Sequence, residues 1–197
     1  MPPFDSLSVL LAHADETTKL AVQHTLEGLG CSVLAACDTA SELIQKAREL
    51  QPELIISGVE LPDRDGVSAL VELSETHEIP AIIVTHKRSL DIVQRALEDH
   101  VMAYMMEPLN HDEMEPTIYL VMRRFEEFNH LQEEVRDLKL ALSERKVIER
   151  AKGVLMAKHT ESEDQAYRRL RRMATDSRIK MLDAARQVLA PHETASV

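Results

Sequence analysis

This 197-residue sequence predicts a doubly wound α/β domain built on a five-stranded parallel (βα)5 sheet, then a coiled-coil helix and a small three-helix C-terminal domain. Three observations predict it. From Leu7 to Pro108, short apolar runs alternate with amphipathic stretches. Residues 117–152 hold no Pro or Gly and carry a heptad-spaced apolar stripe. Residues 142–189 form short amphipathic segments dense in Arg and Lys.

The apolar runs are Leu7–Ala12, Cys31–Ala36, Leu54–Ser57, Ala81–Thr85 and Val101–Met106, and helix-like periodicity fills 16–29, 39–51, 66–76 and 89–99. Near-continuous apolar runs suit parallel strands covered on both faces. Right-handed crossovers between them wind the sheet doubly, and ligand chemistry in such sheets gathers at the carboxyl ends of the strands. The predicted divisions are a first domain 1–122, a connector 123–142, a C-terminal domain 143–191 and a disordered tail 192–197.

In the connector, Val121, Phe128, Leu131, Val135, Leu138 and Leu142 recur at heptad spacing, with Phe125 beside them and Glu126, Glu127, Glu133, Glu134, Arg136 and Lys139 outside. Such a stripe predicts a two-stranded coiled coil and a homodimer. With about three heptads, the alternative is an amphipathic helix folded back on its own domain. One helix is expected to run through about Met156 and to end near His159. Ser162, with Gln165 three residues on, has a capping-box signature, and Glu163 and Asp164 complement the next helix N-terminus. That helix should bury Leu170, Met173 and Ala174, with Ala166 allowing close approach. A third, after Asp176-Ser177, should bury Met181-Leu182, Ala185 and Val188-Leu189. Both need Ile148, Ala151, Val154 and Leu155 of the long helix to complete a core.

Composition narrows the function. No run of about 18 apolar residues exists and no basic-then-apolar leader opens the chain, so a cytoplasmic protein with neither membrane span nor secretion is expected. Cys31 and Cys37 lack metal-ligand spacing and read as reduced core thiols. Five glycines without a phosphate-cradling loop, and no nucleophile–His–acid constellation, point away from an enzyme and from a bound cofactor. Residues 144–190 hold 12 Lys and Arg against 7 Asp and Glu, net +5, while the rest of the chain is net -16 within a total of -11. A basic segment on an acidic carrier suits a polyanion, with a solvated helix face as the bland alternative.

The residues Ala141-Leu142, Arg145, Ile148-Glu149-Arg150-Ala151-Lys152-Gly153-Val154-Leu155-Met156, Ser162-Glu163, Ala166-Tyr167, Leu170-Arg171-Arg172 and Ala174 make the last third resemble the ANTAR domain of transcription antitermination regulators. The resemblance implies binding to RNA hairpins through exposed basic residues and an aromatic, here Arg145, Lys152, Gly153, Tyr167, Arg171 and Arg172. Arg and Lys pair with phosphates, and Tyr stacks on an unpaired base. Arg168 and Arg169 extend the patch, unless one pairs with Asp164 or Asp176. Tyr167 could instead be half-buried. Gly153 costs about 1 kcal/mol mid-helix relative to Ala, to be explained by close backbone approach or by a helix crossing. A Gly usual before the second helix is absent around Lys158–Glu161.

Leu61-Pro62-Asp63-Arg64-Asp65-Gly66, Ile79-Pro80 through Thr85, Tyr104 and Glu107-Pro108 make the first half similar to the receiver domain of two-component response regulators. That resemblance implies acidic residues after strand one for magnesium, an acceptor Asp ending strand three and a Lys after strand five. The matching positions hold His13 and Ala14, Gly58 and Glu107; only Asp15 and Thr85 remain. Gly58 offers no nucleophile, and one carboxylate is a poor start for magnesium. Ser57 should point to the opposite face, Asp63 and Asp65 read as turn and helix-start residues, and His13 has no second ligand at zinc spacing. Thr85 and Tyr104 either form a surviving conformational relay or cap a strand and fill core.

The sequence thus predicts an RNA-binding antitermination regulator with a receiver-like domain that is not phosphorylated and is regulated by a protein partner or not at all. A DNA-binding regulator and a protein-binding adaptor are the rival readings.

Overall fold

The computed structural model describes residues 4, 6–86 and 101–193, with side chains through 190. The helix expected at 89–99 and the end of the tail, 194–197, lie outside the described residues. The chain divides into two compact units, Met1–Asn129 and His130–Val197. The boundary falls a few residues beyond Met122.

Unit one is a parallel sheet of β1 (Ser8–Ala12), β2 (Ser32–Cys37), β3 (Leu54–Gly58), β4 (Ala81–Thr85) and β5 (Val101–Met106), in the order β2-β1-β3-β4-β5. The helices are α1 (Glu16–Gly28), α2 (Ala40–Leu50), α3 (Gly66–Ser74) and the first part of α4 (His111–His159). Strand side chains alternate between faces, and both faces are apolar. Leu10, Ile55 and Ile83 pack with Leu43 and Ile44 of α2 and Val67 and Leu70 of α3. Val9, Leu11, Ile56 and Val84 pack with Val22 and Leu26 of α1 and Met114, Ile118 and Val121 of α4. This is why the central strands read as unbroken apolar runs. Cys31 and Cys37 are buried free thiols, and burial pushes them up to about 11 and about 12.

Side chains fix the helix starts. Asp15 caps α1, accepting from the Thr18 N–H at 2.7 Å, and Asp65 caps α3. Asp63 reaches to another helix: it accepts from the Ala40 and Ser41 N–H groups at 2.8 and 2.9 Å and from the Ser41 hydroxyl at 2.6 Å. Those bonds, the hydroxyl's foremost, hold its carboxyl well below the usual carboxylate range. Asp63 and Asp65 are therefore structural caps. At Gly66 a Cβ would meet the Gly58 carbonyl oxygen at 2.0 Å, so only glycine lets α3 start this close to the end of β3.

The dimerisation stripe needs one correction. Val121 is 1 % exposed and belongs to the sheet-covering face with Met114 and Ile118. Three residues from Ile118 and seven from Met114, it falls on that face. The stripe proper starts at Phe128. Phe128, Leu131, Val135, Leu138 and Leu142 are 37 % to 63 % exposed.

In unit two, α5 (Glu163–Ser177) and α6 (Met181–Glu193) pack with the end of α4 around Ala151, Leu155, Ala166, Leu170, Ala174, Ala184, Ala185 and Leu189. Five of these eight are alanine, which lets helix backbones approach closely. The capping box forms: Ser162 Oγ accepts from the Gln165 N–H, and Gln165 Oε1 accepts from the Ser162 N–H at 2.9 Å. Thr160, where a glycine would be easiest, sits at φ 54°. A β-branched residue in that region costs roughly 1–2 kcal/mol. Among the described residues no helix is long and apolar enough to cross a membrane.

Candidate nucleic-acid interface and the altered strand-end pocket

At the carboxyl ends of the strands lies a cavity of about 180 Å³ lined by His13, Asp15, Glu60, Thr85, His86 and Glu107, among others. His13, from the end of β1, is buried. The Asp15 N–H donates to its Nδ1 at 3.0 Å, leaving Nε2 to donate to Glu107 Oε1 at 3.2 Å. The ring lies over Gly58, where a Cβ would meet His13 Cδ2 at 2.8 Å and Nε2 at 3.3 Å. So the imidazole stands where a side chain at position 58 would have to begin.

Three neighbours border Gly58 and the end of β1: Ser57, Asp15 and Ala14. Ser57 is fully buried and donates to the Gly58 carbonyl at 3.1 Å. The Asp15 carboxylate is spent on α1, and the Thr18 N–H holds its acid below the ordinary value. Ala14 offers no ligand. A magnesium ion does not fit these residues, and among the described residues no group of three or more His, Cys, Asp or Glu is placed to hold a metal. Thr85 is buried, its carbonyl accepting from the Glu107 N–H at 3.0 Å. Tyr104, half-buried, donates to Met106 Sδ at 2.7 Å on its own strand.

Unit two carries the basic surface. Leu170 faces the core and Tyr167, 45 % exposed, faces outward. Residues four apart on a helix share a face, so Tyr167 lies with Arg171, and Arg168 with Arg172. All three arginines and Arg145 are exposed, and among the described residues none of the four forms an ion pair. Arg168 and Arg172 line an open groove of about 370 Å³ with Gln165 and Asp176. Arg169 differs. It forms a two-pronged pair with Glu161 rather than with Asp164 or Asp176, its Nε 3.0 Å from both carboxylate oxygens.

Two expected RNA-contact residues need comment. Lys152 is not exposed: its side chain is 8 % accessible, and Nζ lies 2.8 Å from Glu149 and 2.7 Å from Glu163. A helix face that turns toward α5 buries it, which corrects its reading as a free phosphate contact. Gly153 is exposed, and a Cβ there would meet nothing within 4 Å. No helix crossing within this unit accounts for it. Sequence reasoning missed Glu149, Glu161 and Glu163 as partners, though the Glu149–Lys152 spacing of three was a usable signal. It named His13 and Glu107 without coupling them.

A response regulator receiver domain model matches residues 9–119, and an ANTAR domain model matches residues 136–189. The transcriptional regulatory protein PdtaR of Mycobacterium tuberculosis is 32% identical over 181 residues, covering 92% of this chain and 88% of that protein. The nitrate regulatory protein of Klebsiella oxytoca is 43% identical over 70 residues, 36% of this chain and 18% of its own length. A signal receiver domain of a modulated diguanylate cyclase from Desulfovibrio desulfuricans superposes with a TM-score of 0.58 at 24% identity, covering 62% of this chain and 98% of that one. That last likeness concerns the fold alone.

Proposed function

Because the chain belongs to the response regulators that pair a receiver domain with an ANTAR domain, we propose that it binds hairpins in nascent leader RNA and acts as a cytoplasmic transcription antitermination regulator. One observation carries the reading: Tyr167 shares an exposed row with Arg171, and Arg145, Arg168, Arg171 and Arg172 are exposed cations without an ion pair among the described residues. Arginines left unneutralised on an otherwise acidic chain favour a polyanion, and an exposed aromatic beside them suits an unpaired loop base. Binding one RNA fold and not its competitor shifts their equilibrium by the differential affinity. No catalysis is required.

The receiver domain, on this reading, works without phosphorylation, since Gly58 supplies no carboxylate and Glu107 would repel phosphate. It takes its input from a protein partner or none. The exposed stripe on α4 pairs two copies.

The test is binding of the full chain to leader hairpins and to matched duplex DNA at two salt concentrations. Arg171→Ala and Tyr167→Ala should each weaken hairpin binding about tenfold. Higher salt should weaken the wild type steeply. Preference for duplex DNA would favour a DNA-binding regulator, and salt-insensitive absence of nucleic-acid binding would favour a protein adaptor.

A further inference from the structure

We propose that Lys152 is a positioning residue that clasps α5 to α4 and aligns the reading face, without touching RNA itself. The inference rests on the RNA reading above. Lys152 Nζ sits between two carboxylates of different origin, Glu149 one turn back on α4 and Glu163 in the first turn of α5. The first contact is local, but the second joins two helices. Its side chain is buried while both acids are exposed, so the lysine is held at the junction of the two helices and not free on the surface.

Geometry ties the clasp to the reading face. Glu163, Tyr167 and Arg171 follow at intervals of four, which puts them in one row along α5. Fixing Glu163 therefore fixes the azimuth of the Tyr167–Arg171 row. Hydrogen bonds to Glu149 and Glu163 hold the ammonium charged, raising its pKa, and the Lys152 bond lowers that of Glu163. A phosphate approaching Lys152 would have to displace two carboxylates, whereas Arg171 and Arg172 offer cations with no such competitor.

A direct contact and a clasp differ in salt dependence and in rescue. The full chain is compared as wild type, Lys152→Gln, the charge swap Lys152→Glu with Glu163→Lys, and Arg171→Ala. Each is followed by hairpin binding over a salt series and by thermal melting in circular dichroism. Lys152→Gln should lower the melting midpoint and weaken hairpin binding about tenfold. The swap should recover both to within about threefold in affinity. The slope of log affinity on log salt should stay at the wild-type value in both, while Arg171→Ala should lose about 0.7–0.9 of a unit. The clasp is refuted if Lys152→Gln melts as wild type yet loses that slope, or if the swap recovers neither property. Should the wild type bind no hairpin at all, the RNA reading falls by itself. Recovery of the melting midpoint by the swap would then still decide whether the clasp exists.

Discussion

At the residue level, the strand-end pocket shows how one side chain limits what a neighbouring position can hold. An aspartate placed at position 58 would bring its Cβ within 2.8 Å of His13 Cδ2. Both ring nitrogens are engaged, by the Asp15 N–H and by Glu107. Overpacking of this kind costs roughly 1–3 kcal/mol. Gly58→Asp alone should therefore melt lower than wild type and take no phosphoryl group from acetyl phosphate with magnesium, read on a phosphate-affinity gel. A variant with Gly58→Asp, His13→Asp, Ala14→Asp and Glu107→Lys should gain label. Labelling of the single variant would show that the imidazole is no barrier. The glycine at position 58 was legible in the sequence because it is one residue at a strand end. The His13–Glu107 pair was not, because its partners lie 94 residues apart and only the sheet brings them together. Lys152 was misread for a related reason: spacing reveals which face a residue shares, but not which helix comes to cover that face.

Elements were more legible than contacts. Both the strand positions and the Ser162 capping box followed from local pattern, since burial on two faces and hydrogen bonds three residues apart leave marks in the sequence. The heptad stripe overran at Val121, where α4 exchanges its sheet-covering role for an outward one while the spacing of apolar residues continues. Beyond it, Leu131, Val135, Leu138 and Leu142 lie on one exposed row. In a parallel two-stranded pairing of that row, Glu134 of one copy faces Lys139 of the other across the seam. Leu138→Asp should then convert a dimer to a monomer in light scattering. Glu134→Lys should weaken the dimer about tenfold by turning attraction into repulsion in two symmetric places, and adding Lys139→Glu should restore it. Failure of the second change to repair the first would argue for antiparallel pairing, where those positions do not meet.

Across the whole molecule, the charge distribution and the stripe have a joint consequence. A total charge of -11 contains a C-terminal segment of +5, so long-range attraction for any polyanion is confined to one small module and opposed by everything else. A single module of this size, with Tyr167 exposed and Arg145, Arg168, Arg171 and Arg172 outside any ion pair among the described residues, has few contacts with which to overcome that opposition. Pairing two copies changes the arithmetic without adding a contact. Once one module is bound, the second meets a neighbouring hairpin at the effective concentration set by the link between them, and avidity gains of about 10²–10⁴ follow when the spacing permits both to engage. We expect the wild-type chain to bind a leader with two hairpins at least about a hundredfold tighter than either hairpin alone. Varying the spacer between hairpins should show an optimum. Leu138→Asp, measured on the same RNAs, should bind a single hairpin as wild type does and lose nearly all the advantage of the second. A two-hairpin advantage that survives in the monomeric variant would mean that both hairpins are read by one module, and that the stripe on α4 serves another partner.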